Sequence, residues 1–227
     1  MSYGRLLSMI SSLFISKNSG ETLELQQFAD ANGIELTTKS FLEFKPVAFE
    51  LNQKFDVIFF GSPRAVMFFQ SRYSIPNNIP IASVGGKTTA LLQSMGFEVR
   101  FSGENKGSIS EVAQQFQDWL GNRVALFPVS TKSLGTISKV LPSNQAIHVE
   151  CYETVIVEHQ LKDQFDAYVF TSPSNVEGFF AQNSIPEGAT VIAWGESTAK
   201  ALRQHQVQEF QVLKEPSQAT LASLLSK

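Results

Sequence analysis

Residues 165–179 read FDAYVFTSPSNVEGF, and residues 55–69 read FDVIFFGSPRAVMFF. The two stretches share their Phe-Asp start, the central Ser-Pro and the final phenylalanine, and Ser172 lies 110 residues after Ser62. The match continues at this offset, without a gap, as far as Leu92 and Leu202. Because solenoid repeats have periods of roughly 20 to 50 residues, the longer period predicts a duplicated domain, and a ligand is expected between the two copies.

The composition narrows the class of protein. The chain has 227 residues, of which 43% are hydrophobic, and this suits two cores of about 100 residues each. With a net charge of −3 and no run of Lys and Arg, the chain is not expected to bind nucleic acid. The only cysteine, Cys151, sits in an apolar stretch, which predicts a packed structural thiol and suits a reducing compartment.

Export and membrane insertion are not expected either. The apolar stretch at residues 6–15 is short, is interrupted by serines and lacks a small-residue cleavage site after it, so it does not resemble a signal peptide. No apolar run approaches the roughly 20 residues that span a bilayer. The sequence therefore predicts a soluble protein of the cytoplasm without a membrane partner.

Short apolar runs alternate with amphipathic stretches, a pattern typical of parallel strands linked by crossover helices. Helices are predicted over residues 21–31, 88–95 and 109–120, and each Ser-Pro is predicted to start another. The clearest strands are predicted at residues 13–16, 57–60, 81–84, 124–127, 148–154, 168–170 and 191–194.

Copy two is too short to form a domain alone, because only residues 165–227 remain for it. The strand and helix of residues 13–31 precede copy one and are not needed there, so they are predicted to complete the sheet of copy two. The predicted fold is α/β, with two flavodoxin-like doubly wound parallel-sheet domains and a hinged two-stranded linker. The predicted bounds are residues 1–40 with 160–227 for one domain, 46–150 for the other, and 41–45 and 151–159 for the linkers.

Four turns between a strand and a helix are candidates for ligand binding. Ser62 and Ser172 each precede a proline, so the serine can cap the helix and the proline can be its first residue. The turns at Gly85–Thr89 and Gly195–Ala199 occupy the next pair of equivalent positions. Free backbone N–H groups at such helix starts bind anions, so four of them would suit a ligand with several carboxylates or phosphates. Four ordinary capped helices would give the same pattern.

Known catalytic and cofactor motifs are missing from the sequence. The three histidines are scattered, and neither a Cys-x-x-Cys nor a His-x-x-x-His is present, so no metal site is expected. The turns match neither the dinucleotide nor the nucleoside triphosphate fingerprint, and no cofactor is predicted. An enzyme built this way would work by positioning its substrate and by preorganised dipoles.

Four motifs occur in an order that resembles the uroporphyrinogen-III synthase family: Phe60–Val66, Tyr152–Val155, Thr171–Val176 and Gly195–Leu202. The likeness extends from about Leu13 to the end of the chain. It implies a cyclising carbon-oxygen hydro-lyase of haem biosynthesis that needs no cofactor and acts as a monomer. Its substrate would be hydroxymethylbilane, a linear tetrapyrrole rich in carboxylates. The product would be uroporphyrinogen III, formed with inversion of ring D and loss of water, and the substrate could be handed over by hydroxymethylbilane synthase.

The resemblance also assigns site residues. Tyr152 stands where the family has a tyrosine near the leaving hydroxyl, although a tyrosine packed in a linker would look the same. Thr198 matches the threonine of a Gly-x-x-Thr-Ala turn, and Thr88 holds the same place in copy one. Further candidates for binding the substrate carboxylates are Ser62, Arg64, Ser172, Ser174 and Asn175, with a solvated arginine as the alternative for Arg64.

One stretch departs from the family pattern. Many members begin with a strand that ends in Thr-Arg-Pro, whereas this chain has Ile15-Ser16-Lys17-Asn18. Lys17 could replace the arginine as a point charge, without its bidentate geometry. Two other functions remain open at this stage: a hinged anion-binding module without catalysis, and a phosphate-binding regulatory or interaction domain.

Overall fold

The computed structural model describes residues 10–76, 78–104 and 107–226. Contacts divide the chain into unit 1, formed by residues 1–43 and 155–227, and unit 2, formed by residues 44–154. The first nine residues, which we assigned to the discontinuous domain, lie outside the described part of the chain. The chain passes from one unit to the other twice, after Glu43 and after Thr154.

The described residues form eleven strands and seven α-helices. The strands are β1 (Ser12–Ile15), β2 (Glu35–Thr38), β3 (Leu42–Pro46), β4 (Val57–Phe60), β5 (Ile81–Ser83), β6 (Val99–Ser102), β7 (Ala125–Ser130), β8 (Ala146–Ile156), β9 (Ala167–Phe170), β10 (Thr190–Ala193) and β11 (Gln211–Val212). The helices are α1 (Leu23–Asn32), α2 (Pro63–Gln70), α3 (Gly86–Ser94), α4 (Ile109–Leu120), α5 (Pro173–Phe180), α6 (Glu196–Gln204) and α7 (Gln218–Leu225).

Unit 1 contains a five-stranded sheet in the order β11-β10-β9-β1-β2, and its strand pairings are all parallel. Strand β1, near the start of the chain, lies between β9 and β2, with Leu13 paired to Ala167 on one side and to Leu36 on the other. The prediction that the N-terminal strand completes the sheet of the second copy is therefore confirmed.

Unit 2 contains a six-stranded sheet in the order β3-β8-β7-β4-β5-β6. Read along the chain, its last five strands have the order 3-2-1-4-5 when β4 is counted first and β7 and β8 follow it on one side, whereas unit 1 has the order 2-1-3-4-5, and both sheets are doubly wound. The difference disappears when β1 and β2 are counted after β11. Unit 1 is thus the same sheet with its chain entering at a different strand, as the duplication requires.

A pair of aspartates makes this equivalence visible at the level of side chains. Asp166 accepts hydrogen bonds at Oδ2 from the backbone N–H groups of Ser11 and Ser12, at 2.8 and 2.9 Å. Its counterpart Asp56 accepts one from the backbone N–H of Val124, at 2.8 Å. Each carboxylate stands before the first strand of its copy and holds the start of the neighbouring strand. Strand β1 is therefore attached to β9 as β7 is attached to β4.

The central strands have apolar residues on both faces, as expected for a parallel sheet covered by helices. In β1, Leu13 and Ile15 join a core cluster on one face of the sheet, and Phe14 joins a cluster on the other. All three side chains are fully buried. Burial of such a side chain stabilises the fold by about 1.5 to 3 kcal/mol, so β1 contributes a large share of the core of unit 1.

The predicted helix starts are confirmed. Ser62 caps α2, with its Oγ accepting a hydrogen bond from the backbone N–H of Ala65 at 3.2 Å, and Pro63 is the first helical residue. Ser172 caps α5 in the same way, with the N–H of Asn175 at 3.3 Å. None of the helices in the described ranges is long and apolar enough to cross a membrane.

Candidate active site

A pocket of about 340 Å³ lies at the carboxyl ends of β4 and β7 in unit 2. In the sheet order, the connections after these two strands run in opposite directions, so the pocket occupies the topological switch point where doubly wound proteins bind ligands. Gly61 and Ser62 line it from the end of β4, and Ser130 and Ser133 from the end of β7. Tyr152 contributes a further part of the lining.

An irregularity in β8 determines where Tyr152 points. Val129 pairs with Glu150, but the next residue, Ser130, pairs with Tyr152, so β8 carries one extra residue at Cys151. Side chains of a regular strand alternate between the two faces, and a bulge changes that alternation. Tyr152 consequently joins Val149 and Cys151 in one core cluster, where regular alternation would have placed it on the other face.

The ring of Tyr152 is fixed by two neighbouring phenylalanines. It stacks on Phe68, with centroids 5.2 Å apart and planes 14° apart, and meets the edge of Phe44 at 6.3 Å. The residue is only 9% exposed. Its hydroxyl has no hydrogen-bond partner among the described residues, yet none of their buried side-chain polar atoms is unpaired. The hydroxyl therefore reaches accessible surface, and a ligand in the pocket can accept its proton.

Two other candidates of unit 2 lie close to Tyr152, and one does not line the pocket. Ser62 uses its Oγ as an acceptor for the helix cap and lines the pocket. The guanidinium of Arg64 is exposed and lies 3.9 Å from the ring centroid of Phe44, the residue that also contacts Tyr152. Thr88 is 2% exposed in the first turn of α3 and is not part of the lining.

The candidates of unit 1 are strongly engaged with the protein itself. Asn175 is buried, its Oδ1 accepts from the backbone N–H of Phe41 at 2.8 Å, and its Nδ2 donates to Ser172 Oγ at 3.0 Å. Thr198 is 2% exposed in the first turn of α6. Ser174 is half-buried in the first turn of α5. A ligand at these helix starts would meet backbone N–H groups more readily than the side chains of Asn175 and Thr198.

The switch point of unit 1 lies between β9 and β1. Thr171 donates hydrogen bonds across it, from its backbone N–H to Ser16 Oγ at 2.8 Å and from its Oγ1 to the Ser16 carbonyl at 2.7 Å. Lys17 follows directly, with its Nζ 5.3 Å from the ring centroid of Trp194. A cation thus stands at the carboxyl edge of this sheet, held by an aromatic face.

The segment after β7 is a part of the pocket that the sequence did not predict. We define residues 131–137 as the pocket loop, and Ser133, Leu134, Gly135 and Thr136 from it line the pocket. In the sequence, its small and polar residues indicate only a loop. The duplication offered a signal, because this loop follows β7 as Ser16 and Lys17 follow β1.

Cys151 lies behind Tyr152 and takes no part in the pocket surface. It is free and buried, and desolvation raises the pKa of its thiol to about 11. The thiol is therefore protonated near neutral pH and a poor nucleophile. The predicted structural role is confirmed.

Comparisons with known proteins agree with this architecture. The family model for uroporphyrinogen-III synthase HemD matches residues 24–225. The crystal structure of uroporphyrinogen-III synthetase from Helicobacter pylori 26695 is similar, with a TM-score of 0.70, 20% identity, and coverage of 96% of this chain and 99% of that one. A mutant uroporphyrinogen III synthase from the extremely thermophilic bacterium Thermus thermophilus gives 0.50, 15%, 93% and 96%. A comparison with curated proteins found no match. Since the family model covers most of the sequence, the chain belongs to the uroporphyrinogen-III synthase family.

Proposed function

We propose that Tyr152 donates a proton to the leaving hydroxyl of hydroxymethylbilane in the pocket of unit 2. The family makes the chain an enzyme of tetrapyrrole biosynthesis that forms uroporphyrinogen III, so a binding module without catalysis no longer fits. The observation that carries the assignment of Tyr152 is its geometry: a ring fixed by Phe68 and Phe44, with a hydroxyl that is accessible and without a partner among the described residues.

In this mechanism the hydroxyl group of ring A leaves as water with the proton of Tyr152, and the electrons of the pyrrole ring form a cationic azafulvene. The substituted carbon of ring D attacks this cation and gives a spiro intermediate. That intermediate opens and closes again with ring D reversed, and the pyrrole carbon that forms the last bond loses a proton. This proton replaces the one that Tyr152 gave, so water is the only other product.

The chemistry requires a defined geometry more than a strong acid or base. The pyrrole electrons supply the driving force, and closure without inversion gives the type I isomer spontaneously. The enzyme must therefore hold ring D so that its substituted carbon reaches the cation first. A pocket with walls from two strands, a bulged third strand and a fixed aromatic ring suits this task.

The substrate carboxylates would be bound by helix starts and hydroxyl groups. Ser62 lies at the N-terminus of α2, where the helix dipole favours an anion, and its hydroxyl proton is free to donate. Arg64 adds a positive charge beside Phe44. We propose that the other helix starts bind carboxylates chiefly through backbone N–H groups, with contributions from Thr88, Ser172, Ser174, Asn175 and Thr198.

We further propose that the chain acts as a monomer in the cytoplasm and receives its substrate from hydroxymethylbilane synthase. A single buried thiol suits a reducing compartment. Direct transfer would limit the spontaneous closure of the free substrate to the type I isomer.

The function is tested with freshly prepared hydroxymethylbilane. The products are oxidised to porphyrins, and the type I and type III isomers are separated by chromatography. Enrichment of type III over a control without protein supports the proposal. Formation of type I alone, at the rate of the control, refutes it.

A further inference from the structure

We propose that His148 is a positioning residue for the proposed reaction: through Ser138 it fixes the pocket loop, against which the substrate lies. This inference rests on the proposed function. His148 does not line the pocket itself, whereas Ser138 and residues of the pocket loop do. His148 lines a separate cavity on this part of unit 2, to which Ser138 and the pocket loop also contribute.

The contact consists of two linked hydrogen bonds. The Nε2 atom of His148 lies 2.7 Å from Ser138 Oγ, and this hydroxyl lies 3.0 Å from the carbonyl oxygen of Gly135, to which it donates. A serine hydroxyl has one proton, so both bonds form together only if His148 carries its proton on Nε2. The neutral Nε2–H tautomer and the imidazolium both meet this condition.

The turn of the pocket loop is built closely around the Ser138 hydroxyl. Gly135 has a φ of +61°, which favours glycine, and a Cβ at this position would lie 3.1 Å from Ser138 Oγ. The carbonyl of Gly135 also accepts from the backbone N–H of Lys139 at 3.0 Å. The position of Gly135 therefore depends on Ser138, and that of Ser138 on His148.

The sheet holds His148 in turn. Its backbone pairs with Phe127 in the β7–β8 ladder, and the two rings stack with centroids 5.5 Å apart and planes 23° apart. Phe127 is buried and lines the pocket. His148 thus connects the pocket loop to the rigid part of the sheet.

The pocket loop presents an unusual side chain to the pocket. Leu134 is 77% exposed although it belongs to the pocket lining, and Ile109 at the start of α4 is 45% exposed and also lines the pocket. Large apolar side chains at a binding pocket suit the face of an apolar ring such as a pyrrole. If the contact of His148 with Ser138 is lost, Leu134 and Ser133 lose their fixed position, and the substrate is held less well for ring inversion.

The test compares His148→Gln with His148→Asn. The Nε2 of Gln can take the place of the histidine Nε2 and donate to Ser138, whereas the side chain of Asn is one bond too short. We expect His148→Asn to lower kcat about fivefold and to reduce the share of type III porphyrin, with KM within about twofold of the wild type. His148→Gln should retain most of the activity, and both variants should have the melting temperature of the wild type within a few degrees.

Hydrogen exchange gives a readout that does not depend on activity. The backbone amides of Gly135 and Lys139 should exchange faster in His148→Asn than in His148→Gln or the wild type. Equal exchange in all three proteins, or equal kcat and isomer ratio in both variants, would overturn the inference. If the wild type made no type III isomer, the proposed function would fail, while the exchange experiment would still report whether His148 fixes the pocket loop.

Discussion

The switch points of the two units began as copies and now differ in what they offer a ligand. In unit 1, the side chain of Thr171 donates to the Ser16 carbonyl and connects β9 to β1. The equivalent residue of unit 2, 110 positions earlier, is Gly61, and a Cβ placed there would meet no atom within 4 Å. Gly61 lines the pocket of unit 2. The absence of one side chain thus leaves open in unit 2 the space that a threonine bridges in unit 1.

The strands beside the switch points differ in the same sense. Strand β7 continues to Ser130 and leads into the pocket loop, whereas its counterpart β1 ends at Ile15. Strand β8 carries the bulge that turns Tyr152 toward the pocket, while β2 pairs with β1 in uninterrupted register. Duplication preserved the sheet and the helix starts, and the chemistry of unit 2 came from changes at strand ends, where core packing constrains the sequence least.

The strongest test of this comparison is the substitution Tyr152→Phe. It keeps the ring that stacks on Phe68 and removes only the hydroxyl, so we expect kcat to fall about a hundredfold while product binding and melting temperature change little. The measurement is the initial rate of type III formation, with the dissociation constant for uroporphyrinogen III as control. Unchanged turnover would assign Tyr152 to packing and leave unit 2 without a proton donor.

A second test makes the switch point of unit 2 resemble that of unit 1. Gly61→Thr adds a side chain where there is open space, so the fold should tolerate it, but the side chain would occupy the pocket. We expect kcat/KM to fall about tenfold with little change in melting temperature. The control is Gly61→Ala, which adds only a methyl group and should reduce kcat/KM less. Full activity of Gly61→Thr would show that the substrate does not use this pocket.

The duplication could be predicted from the sequence because it is recorded in consecutive residues. The Phe-Asp start, the buried strand and the Ser-Pro cap of each copy lie within fifteen positions, and local chemistry determines what they do. The completion of unit 1 by β1 followed from counting the residues left to copy two. In contrast, β3, with the sequence LEFKP, and the two-residue β11 show no apolar run, so they depend on neighbouring strands and were not predicted.

The pocket could not be predicted in the same way. The bulge at Cys151 exists only in the pairing of β8 with β7, and no residue type in the sequence indicates it. Tyr152 was proposed from family resemblance and not from spacing. Ser133 and Leu134 belong to a loop whose position depends on His148, a residue that looked isolated in the sequence and lies ten positions beyond Ser138. Contacts made across a fold, unlike helix caps, leave no local pattern.

A third test exploits the two equivalent caps. Ser62→Ala removes one cap and should cost about 1 kcal/mol of stability. Ser172→Ala also removes the acceptor of Asn175 Nδ2, which leaves a buried amide N–H unpaired, so it should cost about 2 to 3 kcal/mol. Urea unfolding measures both values. We expect the opposite order for activity, because Ser62 lines the pocket of unit 2, and equal losses of stability would contradict the stronger engagement of the unit 1 cap.

The smallest expected effect concerns the aspartates that hold the neighbouring strands. The Ser11 hydroxyl and backbone N–H, together with the groups of Ser12, stabilise the carboxylate of Asp166 and lower its pKa below the ordinary value of 3.8. A carboxylate with a lowered folded-state pKa stabilises the fold above its unfolded pKa, and this contribution is lost as the pH falls through the folded-state value.

Asp166→Asn should therefore be less stable than the wild type at pH 7, and the difference should shrink as the pH falls below about 4. Urea unfolding between about pH 7 and about pH 3 measures this difference. Asp56→Asn is the matched control, because its carboxylate holds one backbone N–H, that of Val124, where Asp166 holds two. The loss at pH 7 should thus be smaller in the control. A difference for Asp166→Asn that stays constant down to about pH 3 would mean that the strand start is held by geometry alone, since a neutral amide would then serve β1 as poorly at low pH as at neutral pH.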